Sequence, residues 1–171
     1  MDVFEAIRKR RSVRRFRGDE IPEEALEKLE EALIWAPSAG NLQSRKFYFV
    51  FRRDLKEKLA RAAYYQEFVA EAPLVVVACM DRRISLHYGE RGLSLYAPQD
   101  VAASVQNLML AATGLGLGSV WVGAFKEREV AEVMGLPETL RPLALVPVGY
   151  PGEDPSPPRR VSRSEAVVYV R

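Results

Sequence analysis

The stretch Leu74-Val75-Val76-Val77-Ala78-Cys79, entered through Ala72-Pro73, decides the fold. It is apolar without interruption, whereas a strand with one face in water alternates apolar and polar residues. It therefore reads as a central strand. Working outward, Phe47-Tyr48-Phe49-Val50-Phe51 is a second strand, rich in aromatic and β-branched residues. Leu143 to Val148 forms a third, tolerating Pro147, and Ser119 to Val122 a fourth. Val167-Val168-Tyr169-Val170 has the composition of a terminal strand.

Helices are interspersed with these strands. Asp2 is placed to cap a short helix carrying Val3, Phe4 and Ile7 on its apolar side. An extended exit, Ser12 to Phe16, ends at Gly18. Ile21-Pro22 opens a second helix, in which Leu26, Leu29, Leu33 and Ile34 keep helical spacing as far as Trp35, and Glu23 and Glu24 suit its N-terminal dipole. Asp54 is placed to cap a third helix reaching Tyr65, and a shorter one holds Phe68 and Val69. Pro98 to Thr113 is a helix with no charge after Asp100, and Glu127 to Met134 a helix closed by Gly135. Residues 81–97, with His87, Tyr88, Gly89, Arg91, Gly92 and Tyr96, predict a loop or lid. No repeat or long linker divides the chain, which reads as one α/β-type domain over residues 1–171.

Composition narrows the function. The chain has 171 residues, 48% hydrophobic and 28% charged, enough for a core without staples. One cysteine and one histidine exclude a disulfide scaffold, a zinc module and any mechanism that needs two histidines. A formal charge of +2 is far from the strongly basic balance of a nucleic-acid binder. No charged residue falls between Asp100 and Lys126, but Ser104, Gln106, Asn107 and the glycines at 114, 116 and 118 interrupt that stretch, so no membrane span is expected. The N-terminus lacks the apolar segment of a secretory signal, and a cytoplasmic location is expected. The charge is unevenly spread. Arg8, Lys9, Arg10, Arg11, Arg14, Arg15 and Arg17 crowd one end, either as an anion site or as a solvated face.

Familiar catalytic motifs are missing. The glycines at 114, 116 and 118 follow a helix and precede a strand, the reverse of a dinucleotide fingerprint, and read as a tight helix-to-strand turn. Cys79 lies inside a buried strand pattern, where a thiol is inert. What remains is polar loops. Arg10-Arg11-Ser12-Val13-Arg14 offers guanidinium forks and a hydroxyl suited to phosphate. Pro37-Ser38-Ala39-Gly40-Asn41-Leu42-Gln43 offers groups able to hydrogen-bond a heteroaromatic edge, and Arg159-Arg160 is a second cationic pair. With no acid, base or nucleophile standing out, the pattern favours a cofactor that carries the chemistry.

In this order, these segments resemble the FMN-dependent nitroreductase family. The likeness runs through Arg10 to Arg14, Ala36 to Gln43, Ala72-Pro73, Asp100-Val101-Ala102-Ala103 with Gln106-Asn107-Leu108, Gly114 to Phe125, and Val148-Gly149-Tyr150-Pro151 with Arg160. It implies an α+β fold with a mixed, mainly antiparallel sheet flanked by helices. It also implies an intertwined homodimer with two FMN sites at the interface, the uncharged helix lying in the dimer packing.

By the same resemblance, Arg10, Arg11, Ser12 and Arg14 form the first FMN-binding strip. Arg11 and Ser12 face the ribityl phosphate, and Arg14 the N1/O2 edge of the ring. Arg160 matches the C-terminal phosphate ligand, and Arg159 stands one place along from a companion basic position that falls near Pro158. Pro37, Ser38, Asn41 and Gln43 belong to a loop brought by the other subunit, which departs from the family pattern at Ser44-Arg45-Lys46. Backbone N–H groups of Gly123 and Ala124 reach N5 and O4, and Gln66 the pyrimidine edge.

The implied activity is ping-pong reduction of flat acceptors such as nitroaromatics or quinones. NADH or NADPH passes hydride to flavin N5, and Tyr64, Tyr65, Phe68, His87, Tyr88 and Tyr96 are candidates for the walls of the stacking slot. The alternatives are a non-catalytic FMN carrier or sensor, and a reductive dehalogenase or flavin-modifying enzyme of the same fold.

Overall fold

The computed structural model describes residues 1–171. Four strands form one sheet in the order β1-β2-β4-β3: β1 Arg45–Val50, β2 Leu74–Asp81, β3 Gly118–Ser119 and β4 Leu140–Gly149. Every neighbouring pair is antiparallel, with Tyr48 opposite Val77 and Val76 opposite Val146. The helices are α1 Val3–Lys9, α2 Glu23–Ile34, α3 Arg53–Ala62, α4 Phe68–Glu71, α5 Ser85–Arg91, α6 Ala97–Gly114, α7 Glu127–Met134 and α8 Arg163–Ala166.

The unbroken apolar run has a simple cause. Every residue of β2 is buried, and its two faces belong to different cores. Leu74, Val76, Ala78 and Met80 point into one, with Leu29 and Leu33 of α2 and Val101, Val105 and Leu108 of α6. Val75, Val77 and Cys79 point into the other, with Leu59 of α3, Val69 of α4 and Val130 of α7. Strand β4 divides in the same way, Val146 to the first core and Leu145 to the second. Interspersed helices and strands suggested α/β, but every strand pair is antiparallel, so the architecture is the α+β one that the family resemblance implies. Two-sided burial depends on helices covering both faces of the sheet, and here they cover an antiparallel one.

Local chemistry sets the boundaries. Asp2 and Glu5 form a capping box at the start of α1, and Gly135 closes α7 in the left-handed conformation. Asp54 does not cap α3; Arg52 occupies that position and Asp54 instead takes its guanidinium at 2.7 Å. The tight turn after α6 leads directly into β3. Two strand expectations shrink: 119–122 keeps only Gly118–Ser119 and a bridge from Val122 to Leu145, and 167–170 pairs with nothing. A strand needs an edge to join, and the tail meets none within its own chain.

Asp81 ends β2, and residues 82–97 are largely helical, not a loop: a 3-10 turn over Arg82–Ile84, then α5, kinked at Gly89 (φ 52°), and a π-helical turn over Gly92–Tyr96 lead into α6. The apolar side of α1 faces outward, with Phe4 66% exposed while only Ala6 is buried. Lys56 is buried beneath the entry to β2, donating from Nζ to the carbonyls of Ala72 (2.5 Å) and Pro73 (3.3 Å). Gly149 is required by close approach, because a side chain there would run into the Pro73 ring.

Leu145 is fully buried against the second core. Leu145→Ala should cost about 2–5 kcal/mol, measured as a urea midpoint shift, while exposed Lys28→Ala stays within about 0.5 kcal/mol.

Candidate functional site

The basic N-terminal strip becomes part of the sheet edge. Ser12 bridges Ser119 in parallel and Phe16 bridges Pro151 in antiparallel fashion. Backbone bonds continue the zipper: Val13 N–H to Ser119 carbonyl (3.0 Å), Arg17 N–H to Tyr150 carbonyl (2.9 Å) and Gly152 N–H to Arg15 carbonyl (2.8 Å). The Glu153 carboxylate accepts from the backbone N–H groups of Arg14 (2.6 Å) and Arg15 (3.2 Å). Residues from both ends of the chain therefore meet. A cavity of about 310 Å³ is lined by Arg10, Arg11, Ser12, Arg14, Pro155, Ser156, Pro158 and Arg160.

Its electrostatics are one-sided. No carboxylate lines it, and burial, Arg160 and Arg11, in that order, lower the Arg10 pKa. Like charges gathered without a counter-charge repel, and an oxyanion with several acceptor oxygens relieves that repulsion while taking the guanidinium forks. Arg11 is partly engaged, donating to the carbonyls of Arg8 (2.7 Å) and Arg10 (2.9 Å). Arg159 is not in the lining; Pro158 and Arg160 are. A larger cleft of about 890 Å³ answers Arg53, Lys56 and Arg61 with Glu57, Glu67 and Glu71, so no single-sign site arises there.

Beyond Ser119 the chain runs beside the strip toward Gly123 and Ala124, which are exposed. Gln66 joins this corner, its Nε2 donating to the carbonyls of Ala63 (2.8 Å) and Ala124 (3.1 Å). Tyr64 and Tyr65 precede it with φ of 56° and 60°. Left-handed geometry at two bulky residues costs about 1–3 kcal/mol each and concentrates at functional sites. Tyr65 is 73% exposed, so both rings are offered outward beside Lys126, whose pKa they help to raise after Glu129.

The loop from Pro37 to Gln43 is held by Arg45 and Asp100, to which motif reading gave no site role. Arg45, at the first position of β1, donates to the carbonyls of Ile34 (3.1 Å), Ala36 (2.7 Å) and Pro37 (2.9 Å). Asp100, only 5% exposed, accepts from the Ala39 N–H at 3.0 Å. Ser38 Oγ accepts from the Gln43 N–H at 3.0 Å. Gly40, Asn41 and Gln43 are left-handed, with φ of 55°, 55° and 53°. Gly40 has no alternative, since the Tyr88 hydroxyl fills the space of any side chain there. Tyr88 in turn meets Tyr96 edge to face at 5.2 Å, and Arg91 donates to the Tyr96 hydroxyl at 2.9 Å.

The candidate residues thus fall into two groups within one chain. Arg10, Arg11, Ser12, Arg14 and Arg160 share the cavity, with Gly123, Ala124 and Gln66 along the same edge. Pro37, Ser38, Asn41 and Gln43 stand on the separate loop, beside Tyr88. Phe68 packs against the second core and His87 is exposed on α5. Cys79 is no nucleophile, its thiol pushed up to about 12 by burial. A signal for Asp100 was visible: it is the lone carboxylate heading an uncharged helix.

A sequence model of the nitroreductase family matches residues 7–64 and 53–150. The chain belongs to the nitroreductase family. An NADH dehydrogenase of Thermus thermophilus is 33% identical over 197 residues, covering 99% of this chain and 96% of that protein. The nitroreductase A structure from Vibrio parahaemolyticus superposes with a TM-score of 0.90 at 28% identity, over 100% of this chain and 77% of that one. The Vibrio harveyi NADPH:FMN oxidoreductase complexed with NAD+ has a TM-score of 0.89 at 28% identity, covering 99% and 77%. Across the family match the α+β architecture is shared.

Burial raises the Asp100 pKa despite the Ala39 N–H and Arg45. The folded chain therefore binds this proton more tightly than the unfolded chain. The associated stability is complete below the unfolded value of about 3.9 and is lost as pH rises through the folded one. Wild type should lose stability relative to Asp100→Asn as pH is raised from about 4 to neutrality, read from urea midpoints.

Proposed function

We propose that this nitroreductase-family chain is an FMN-dependent oxidoreductase that uses NADH or NADPH to reduce flat acceptors, nitroaromatics or quinones among them. The observation that carries the reading is the cavity where Arg10, Ser12 and Arg14 meet Arg160 with no carboxylate in the lining. That donor set fits the dianionic end of FMN: several guanidinium forks and a hydroxyl, one cation partly desolvated and repelled by its neighbours. Arg159 plays no part in it on this geometry.

Bound there, FMN supplies two-electron redox chemistry between a nicotinamide and an acceptor that take turns at one face. The rest is the work of the chain. Arg11, Ser12 and Arg160 would hold the phosphate, with Arg10 beside them, and so would set where the ring lies along the sheet edge. Arg14 offers positive charge at the N1/O2 edge and favours negative charge there. Backbone N–H groups at Gly123 and Ala124 supply donors at the opposite edge, with Gln66 holding that corner through the Ala124 carbonyl. Positioning at about 3–3.5 Å is the main catalytic demand, and no side-chain acid or nucleophile is needed.

The loop that carries Pro37, Ser38, Asn41 and Gln43 completes the site of a second copy in a homodimer. Support comes from apolar surface that one chain leaves uncovered: Val3, Phe4 and Ile7 on α1, and Val167 to Val170 in the tail. Helix α6 adds a half-covered face with Ala102, Ala103, Leu110 and Ala111. Obligate interfaces have this apolar character. The acceptor slot is then walled by Tyr64 and Tyr65 of one copy and Tyr88 of the other.

The purified protein should carry a flavin spectrum. Under anaerobic conditions NADH or NADPH should bleach the visible band, and a quinone or nitroarene should restore it. A flavin that neither nucleotide bleaches would overturn the oxidoreductase reading. Arg14→Ala combined with Arg160→Ala should weaken FMN binding by about 100-fold or more, measured by fluorescence titration of the apoprotein. Unchanged affinity would displace the phosphate and ring-edge assignments.

A further inference from the structure

Resting on the reading that Pro37 to Gln43 completes the flavin site of a second copy, we propose that Asp100 and Arg45 are positioning residues for that site. They hold the loop from beneath, so that Asn41 and Gln43 meet the flavin in one pose. Neither residue faces the chain's own phosphate cavity.

The loop cannot hold this shape cheaply by itself. Gly40, Asn41 and Gln43 are all left-handed, and the bonds local to Gln43 are few: its N–H to Ser38 Oγ (3.0 Å), its Nε2 to the Asn41 carbonyl (3.4 Å), and its carbonyl accepting from the Arg45 N–H (2.7 Å). Backbone strain of this kind persists only where surrounding contacts over-determine it. Those contacts come from Arg45 and Asp100. One guanidinium gathers the carbonyls of Ile34, Ala36 and Pro37, and one carboxylate takes the N–H of Ala39, the residue just before the left-handed ones. Arg45 Nη1 also reaches the Asp100 carbonyl at 3.4 Å, which ties the two supports together. Tyr88 blocks movement on the Gly40 side.

The choice of residues runs against what folding alone would select. Asp100 is buried on an otherwise uncharged helix, and its Oδ2 has no partner. A partly satisfied buried carboxylate is costly, and an apolar residue at this helix position would pack more favourably. Arg45 is likewise specific: only a planar fork can serve three carbonyls that diverge along a turn, and a lysine point charge cannot. A device that destabilises the core while ordering an exposed loop is explained by what the loop must do.

Four proteins test this: wild type, Asp100→Ala, Asp100→Asn and Arg45→Lys. Each is stripped of flavin and titrated with FMN, with fluorescence giving affinity and visible circular dichroism reporting the ring's environment. Asp100→Ala and Arg45→Lys should weaken FMN by about tenfold and change the flavin dichroism, while Asp100→Asn, which keeps a carbonyl oxygen for the Ala39 N–H, returns both to near wild type.

A hybrid dimer then pairs an Asp100→Ala subunit with one carrying Arg10→Ala and Arg160→Ala. Both lesions fall in the same site, leaving one FMN per dimer bound at full affinity. Wild-type affinity and dichroism in folded Asp100→Ala, or no rescue by Asp100→Asn, overturns the proposal. If Asp100→Ala does not fold, Arg45→Lys takes its place in both measurements under the same criteria. A hybrid with no full-affinity site overturns the assignment to a second copy, and the proposal as stated with it. Wild type that takes up no FMN overturns the flavin reading itself.

Discussion

Burial of β2 and β4 on both faces is the constraint from which the other features follow. A strand with water on neither side must be covered twice, by α2 and α6 on one face and by α3, α4 and α7 on the other. With both faces covered, backbone groups still need partners along the sheet's edges, of which the one beyond β3 is relevant to the site. The N-terminal strip fills that edge through Ser12, Val13 and Phe16, and the chain leaving β4 pairs with the strip in turn. The cationic cavity is a consequence of this closure: the strip and the C-terminal segment meet because both are tied to the same edge.

The gathering of charge there opposes folding. Burial and the neighbouring Arg160 and Arg11 lower the Arg10 pKa, and an anion between the guanidiniums would relieve their repulsion. The loop over Pro37–Gln43 presents a similar economy, since the left-handed Asn41 and Gln43 stand on a turn held by the buried Asp100 carboxylate and the half-buried Arg45 guanidinium. Both features trade stability for presentation, the usual signature of binding surfaces. They lie apart within one chain: Arg45 and Asp100 hold the loop and do not line the cationic cavity.

Much of this was legible in the residues. Helix α7 was readable from Glu127 to its Gly135 stop because a left-handed cap has few alternatives. The turn after α6 was readable because glycines after a helix and before a strand cannot serve a dinucleotide loop. The sheet type was legible only through the family resemblance, which implied a mainly antiparallel α+β sheet. An unbroken apolar run reports two-sided burial without reporting strand direction, and the α/β expectation came from that ambiguity. Residues 81–97 misled in another way. Their mixed polarity suggested a loop, yet Tyr88, Arg91 and Tyr96 are helical residues that pack on each other and over Gly40. Arg45 was seen only as a departure from a pattern, because its three carbonyl partners lie on the preceding turn and leave no trace as a motif.

Sequence alone determined which groups are available: the guanidiniums of the N-terminal strip, Arg160, the amide-bearing loop, the single inert thiol and the order of motifs that identifies the family. These are properties of residue type and local spacing, fixed before the chain folds. Tertiary structure decided which of them meet. It placed Arg160 rather than Arg159 in the cavity with Arg10, set Glu153 under the backbone of Arg14, and spent Asp100 and Arg45 on the loop. Those pairings span up to 150 residues between Arg10 and Arg160. They depend on the closure of the sheet edge, a long-range packing outcome that no local pattern encodes.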